Sequence, residues 1–396
     1  MASFPYRVLL RSTTLRWQAL GGLLAQTTQG AGPIGVILVI RGHHGSLALA
    51  GAVVGAVSIA GGVARPVQGR FIDRRGPRGL MTVTGIVHPA AVIAIVALSD
   101  ARGPGVLLVV LGVLAGAALP PVSTVMRVAW GAASGDGDRT SAYSLVFLTQ
   151  ELAILTGPLL LSAVVAASDA SAALVTVAAV TGAGTLGFAA SLPATLERRE
   201  TLPHEHGATA LRSPGMRALL PVAALVGAVI GGVEIGVPTF AAAHRAPAAS
   251  GLLIAILSTG GIAGAAFYGM RRWAAGPTAR LIGLLAALTV AAALAIAAPG
   301  LVALGAALAL VGLPLNPSLT TVSLLVDSHV SPAGAAEAFG WLSTGVAGGG
   351  GLSSAVAGAV THPGDPRPAF VVAAVAAGMA ALVATVTRRR LAAPMI

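Results

Sequence analysis

The chain has 396 residues, 56% of them hydrophobic and only 9% charged, with a mean hydropathy of +0.87. About a quarter of the residues of a soluble domain are charged, so most of this chain's surface faces lipid and the expected fold class is an all-α polytopic membrane protein. All 24 basic residues are Arg, with no Lys and no Cys, which excludes a Walker A lysine, Schiff-base catalysis, thiol nucleophiles, thiolate metal sites and disulfides. The net charge of +11 fits arginines held in cytoplasmic loops and does not point to nucleic acid.

A membrane-crossing helix needs about 20 apolar residues. Breaking the chain at charges and at Gly/Pro/Ser clusters predicts twelve spans, roughly at 15–40, 47–64, 79–98, 105–130, 140–166, 171–192, 216–240, 249–269, 280–298, 301–326, 334–360 and 368–387. The first run is too long for the apolar region of a signal peptide and is read as a retained span. It carries Gln26 and Gln29 near its middle, two amides suited to binding substrate or bridging helices. "GHHG" at 42–45 and "HEH" at 204–206 offer His pairs in loops, too few ligands for a metal site; no metal and no cofactor is expected.

"GRFIDRRGPRG" at 69–79 follows the second span. Its glycines permit a tight turn and close helix approach, and Asp73 is an anion suited to the positive end of a helix. The predicted partner is the start of span eleven, "SPAGAAEAFGW", with Ser331 as cap and Pro332 in the first turn. His88-Pro89 in span three reads as a kink with a satisfied His. Span four, "LGVLAGAALPP", contains no Arg; Arg127 and Trp130 lie nearer its cytoplasmic end and read as an interfacial anchor or a gate partner.

Span five, "FLTQELAILTGPLLLS", holds Glu151 about 16 Å from the cytoplasmic end at 1.5 Å per residue. A carboxylate there costs at least ~2.5–3.5 kcal/mol and marks a functional position by default. It can carry a proton or neutralise a cationic substrate. Gly157-Pro158, further along the same span, reads as a kink. The longest polar stretch, residues 197–217, divides the chain into an N-terminal bundle (1–196), a cytoplasmic linker (197–215) and a C-terminal bundle (216–396). In the second half, Glu234 lies in the outer part of span seven and is a second proton-coupling or cavity candidate. Asp327 and Glu337 lie at the cytoplasmic ends of spans ten and eleven, where salt bridges to gate arginines are expected.

Twenty of the 24 Arg fall at or near one side, leaving Arg41, Arg102, Arg245 and Arg367 in the opposite loops. This asymmetry places both termini in the cytoplasm of a cell that carries the protein in its plasma or inner membrane. The halves also repeat. "GRFIDRRGP" at 69–77 aligns with "GMRRWAAGP" at 269–277, "GAGPIGV" at 30–36 with "GGVEIGV" at 231–237, and "PVST" at 121–124 with "PSLT" at 317–320. Parallel repeats imply a pseudo-two-fold along the membrane normal and a substrate cavity between the halves near the midplane.

Gly69, Asp73, Arg74, Gly76 and Arg78 resemble the G-x-x-x-D-R-x-G-R-R signature, motif A, of the major facilitator superfamily, with Pro77 in place of a basic residue and Trp273 replacing the Asp in the second copy. Twelve spans, a repeated half and a central linker are that superfamily's plan as well. Gly157-Pro158 is similar to the core of motif C of its exporters, while the mid-span Arg of motif B is missing from span four. The resemblance implies a monomeric secondary transporter rather than an enzyme. Its two halves would rock to export a small amphipathic or cationic molecule in exchange for protons. Uptake of a metabolite, a non-transporting sensor and an intramembrane enzyme are the alternatives; no HExxH or GxSxG pattern supports the last.

Overall fold

The computed structural model describes residues 12–135, 138–196, 210–247, 249–362 and 365–392. Eleven helical segments among them are long and apolar enough to cross a bilayer. The fifteen helices are numbered α1 (Thr13–Ala25), α2 (Thr27–His44), α3 (Leu47–Arg75), α4 (Pro77–Asp100), α5 (Gly105–Ala117), α6 (Val122–Ala133), α7 (Arg139–Ala167), α8 (Ala170–Ser191), α9 (Pro214–Ala243), α10 (Ala249–Met270), α11 (Pro277–Ile296), α12 (Leu301–His329), α13 (Ala335–Val360), α14 (Arg367–Val386) and α15 (Arg388–Ala392). The 26-residue α13 is long enough to cross, but its run of glycines and serines makes it less apolar than the eleven. The predicted linker and "HEH" fall mostly in 197–209, outside the described residues.

Two predicted spans are not single helices. Span one breaks at Gln26 into α1 and α2. Span four breaks at 118–121 into α5 and α6, because Pro120 and Pro121 supply no N–H to continue the ladder. Span two is longer than predicted: α3 runs on to Arg75, so the residues from Gly69 to Arg75 form its last two turns rather than a loop. The chain turns at Gly76, whose φ of 79° only glycine adopts without strain. Pro77 then occupies the first position of α4, where its missing N–H costs nothing. The degenerate second copy behaves differently: α10 stops at Met270, the second residue of the aligned stretch.

The chain divides into two compact units, Met1–Ala133 with Thr149–Glu205, and Ser134–Leu148 with His206–Ile396. In the first, α3 packs on α5, α4 on α5 and α8, and α1 and α2 on α8. In the second, α10 packs on α12, α11 on α12 and α14, and α9 on α14 and α13. The pairings of the first unit recur in the second, as the repeat in sequence requires. α7 contributes its first turns to the second unit and the remainder to the first.

Small residues set the helix contacts, as expected where lipid supplies no hydrophobic drive between helices. A Cβ on Gly227 would collide with the carbonyl of Val346, and one on Gly349 with that of Ala224, so α9 and α13 touch backbone to backbone. Ser353 Oγ donates to Ala228 O at 2.6 Å across the same contact. In the first unit, a Cβ on Gly112 would lie 3.0 Å from Val53 O, drawing α5 onto α3. Because backbone cannot move aside as a side chain can, Gly227→Val should cost about 2–3 kcal/mol of overpacking. The expected reading is a lower apparent Tm and reduced membrane abundance; an unchanged Tm would contradict the backbone contact.

Candidate functional site

The break in the first unit's fourth span exposes carbonyls inside the membrane, where each must find a donor. Gly116 O takes Leu119 N at 3.0 Å, and four others find partners on neighbouring helices. Ala115 O takes His88 Nδ1 at 2.8 Å, which requires the proton on Nδ1. Gln68 Nε2 donates to Ala117 O at 2.9 Å and Leu119 O at 3.2 Å. Arg65 Nη1 donates to Pro120 O at 3.2 Å. Arg65 and Gln68 sit three residues apart on α3, one face of the helix, and a Cβ on Gly61, on that face, would lie 3.3 Å from Gly116 O. Arg65 is ten residues from the end of α3, about 15 Å along the axis. It is therefore well inside the span rather than among the loop arginines.

The break in span one lies close by. Gln26 is fully buried; its Nε2 donates to Gly22 O at 2.8 Å and lies 3.8 Å from Met126 Sδ on α6, while its Oε1 has no partner. Thr181 Oγ1 on α8 contacts Thr27 Oγ1 at 3.0 Å and Thr28 Oγ1 at 2.5 Å, fastening the start of α2. Trp130 Nε1 donates to Gln18 Oε1 at 2.9 Å, and Gln18 Nε2 to Ser191 O at 3.1 Å. Gln29 is half-buried one turn beyond the break.

Arg127 is buried at 7% exposure and Trp130 at 1%. The interfacial-anchor reading is therefore replaced: ten consecutive residues of α6, Val122 to Gly131, are enclosed, and the helix has no lipid-facing side on which to place an anchor. Glu151 is half-buried in α7, twelve residues after Arg139, about 18 Å along the helix. α7 continues through Pro158, and a Cβ on Gly157 would lie 2.5 Å from Thr27 O. Gly157 thus serves close approach to α2 beside the span-one break.

Glu234 is exposed rather than enclosed within its unit. Its neighbours Gly231, Gly232 and Gly236 turn their bare faces onto Gly350, Ala369 and Phe370, which rotates the carboxylate outward. Of the motif A residues, Gly69 and Gly76 are buried, Asp73 is half-buried in the last turn of α3 and Arg74 is exposed. Arg78 Nη2 donates to Leu192 O at 2.6 Å, tying the start of α4 to the end of α8. Ser331 makes no capping bond; it precedes a 3₁₀ turn at Pro332–Gly334, and α13 begins after Gly334. Glu337 lies buried in the first turn of α13, where an acid favours the helix dipole, and accepts from Trp341 Nε1 at 3.3 Å.

Asp327 pairs with Arg139 at 3.8 Å and accepts a short hydrogen bond from Tyr143 Oη, both from the first turns of α7 within the second unit. Ser141 Oγ adds a bond of 2.5 Å to Gly269 O. His43 of "GHHG" pairs with Asp100 at 3.1 Å. A separate groove of about 500 Å³ between α1 and α8, lined by Trp17, Leu20, Gly21, Gly184 and Gly187, carries no titratable side chain.

Residues 19–344 match the family model of the Major Facilitator Superfamily. The chain belongs to that superfamily and is a multi-pass membrane transporter, not an enzyme. Solved structures share the fold. A bacterial homologue of the iron transporter ferroportin, in an outward-facing state, superposes with a TM-score of 0.78 at 15% identity, over 94% of this chain and 99% of that one. The human organic anion transporter MFSD10 (TETRAN) gives 0.73 at 16%, over 96% and 99%. The transporter FucP, in the outward conformation, gives 0.70 at 14%, over 95% and 98%. No curated protein is a significant match by sequence.

Sequence reasoning missed Arg65 and Gln68. Gln68-Gly69 stands at the head of motif A, and the Pro120-Pro121 pair, which must strand carbonyls, was the available signal. Replacing Gln68 by Leu should leave the carbonyls of Ala117 and Leu119 bare, at about 1–3 kcal/mol per group. Purified Gln68→Leu should melt well below wild type, and an equal Tm would show that these carbonyls need no cap.

Proposed function

We propose that this protein is a monomeric twelve-span transporter of the plasma or inner membrane, with cytoplasmic termini. It exports a small amphipathic compound in exchange for protons. Residues 1–196 and 216–396 form the two moving bundles, joined by the cytoplasmic linker 197–215, and the substrate is released by a rocker-switch exchange of access. The observation that carries the coupling is Glu151, a carboxylate about 18 Å along a membrane-crossing helix. Such a group is tolerable when it is protonated, paired or wet, and a cycle that changes its state moves a proton. Glu234, exposed on α9, is the second coupling candidate. Gly157 and Pro158, in the same helix as Glu151, are where the chain is similar to exporters of the family.

Glu151→Gln mimics the protonated acid and cannot titrate. In proteoliposomes the variant should keep substrate exchange and lose uphill movement driven by a pH gradient. Uphill transport at the wild-type rate would make Glu151 a structural acid and shift attention to Glu234. In cells, expression should lower accumulation of the exported compound, and a protonophore should abolish the difference.

Asp73 and its neighbours Gly69, Arg74, Gly76 and Arg78 are the proposed cytoplasmic gate, with Arg127, Asp327 and Glu337 as supporting charges. An Asp at the end of α3 is suited to the positive start of a helix, and α13 is the partner we assign. Asp73→Asn should insert at normal abundance and transport poorly. Transport near the wild-type rate at equal abundance would remove the gate role.

A further inference from the structure

The Pro120-Pro121 break leaves α6 beginning inside the membrane without a cap. In a continuous helix the amides of Val122, Ser123 and Thr124 would donate to the carbonyls of Ala118, Leu119 and Pro120. Gln68 and Arg65 hold the last two carbonyls, and the first backbone bond of α6 runs from Val125 N to Pro121 O at 3.0 Å. The three preceding amides take no acceptor among the described residues. Thr124, in the same turn, is 1% exposed, and its hydroxyl has no partner either. Four donors of the first turn of α6, three amides and one hydroxyl, therefore have no acceptor among the described residues.

Arg65 supplies the charge. Its guanidinium reaches Pro120 O, the carbonyl just before this helix start, through one of its five N–H donors. No carboxylate among the described residues forms an ion pair with it. A cation deep in a bilayer without an anion is costly, and α6, at twelve residues, has a full helix dipole whose positive end lies at the same point.

We propose that the N-terminus of α6 is an oxyanion site. It would hold the acidic head, a carboxylate or a group of like geometry, of the amphipathic compound the protein transports. The amides of Val122, Ser123 and Thr124, the Thr124 hydroxyl and the Arg65 guanidinium are its ligands. Helix starts with free amides bind anions in this way, and broken helices near the midplane place such starts at transporter substrate sites. Arg65 presents a planar fork that can meet both oxygens of a carboxylate. The inference rests on the transport reading above and narrows its substrate to acids; a cationic head would meet repulsion here.

The test is equilibrium binding to the full-length protein in lipid nanodiscs, by calorimetry, with salicylate, benzyl alcohol, benzylamine and sodium sulfate. Salicylate should bind about tenfold or more tightly than the neutral and cationic aromatics, the factor that one charge-assisted contact provides. Arg65→Gln should lower salicylate affinity about tenfold, and Arg65→Lys, which keeps the charge but loses the planar fork, should fall between wild type and Arg65→Gln. Thr124→Val, nearly isosteric and so independent of any folding defect at Arg65, should lower it about threefold, as loss of one neutral donor does. Equal affinity for the three aromatic probes, absence of binding by both anions, or wild-type salicylate affinity in Arg65→Gln and Thr124→Val would overturn the site. Arg65-dependent sulfate binding as tight as that of salicylate would assign it to an inorganic anion and overturn its role as a substrate-head site. No gradient enters the measurement, so failure of proton coupling with salicylate binding intact would count against the antiport reading alone.

Discussion

Inside a bilayer a backbone carbonyl has no water to turn to, and this constraint organises the first unit. Two adjacent prolines remove two amides from the fourth span, and the ladder there cannot close. The carbonyls of Ala115, Ala117, Leu119 and Pro120 instead draw His88, Gln68 and Arg65 out of α3 and α4. Polar side chains that would be expensive in hydrocarbon become necessary once the break exists. The break and its three caps are thus one device, and a change to any part leaves a buried polar group behind.

The second unit shows what the same pattern does without the break. The aligned stretch of span ten, with Pro314 and Pro317, stays helical within α12. Separating the prolines by two residues leaves N–H groups between them, so the helix bends its bonding locally instead of stopping. The missing N–H groups of Pro314 and Pro317 withdraw bonds from the carbonyls of Leu310 and Leu313, and one turn on Ser318 Oγ donates to Pro314 O and Thr321 Oγ1 to Pro317 O, each at 2.7 Å, as i→i−4 back-bonds within the helix. The two units therefore share pairings but differ in polarity at corresponding places, with both broken helices in the first.

Most spans and the repeat were legible because they depend on run length and on residues close in sequence. Gly76 was legible as a turn for the same local reason. The pairing of Asp327 with Tyr143 joins residues 184 apart and leaves no local trace. Arg65 was masked by the rule that found the spans: an apolar run is ended at a charge, so a cation inside a helix is assigned to the loop beyond it. Gln26 interrupts a helix without proline at that position, and Gly184 of α8, whose Cβ would fall 2.5 Å from Ala25 N, shows how closely the chain is pinned there. The exposure of Glu234 was not legible, since its three flanking glycines carry no hydropathy signal about which face packs.

The missing arginine of span four takes on a different meaning in this light. A cation projecting from a span-four residue would use that helix as its stem, and the helix would run unbroken past it. Here the fourth span ends and restarts, and the cation arrives from α3 at the restart. Delivered from a neighbour, the guanidinium occupies the carbonyl that the first turn of α6 would otherwise have claimed, and the turn's amides remain unclaimed. Helix dipole and fixed charge then point at the same place. A single arginine within an intact span would supply charge without amides, and a capped break would supply neither. The geometry gains its directional donors only because the proline pair and Arg65 occur together, which is why the absence of one sequence motif here does not leave span four without a cation.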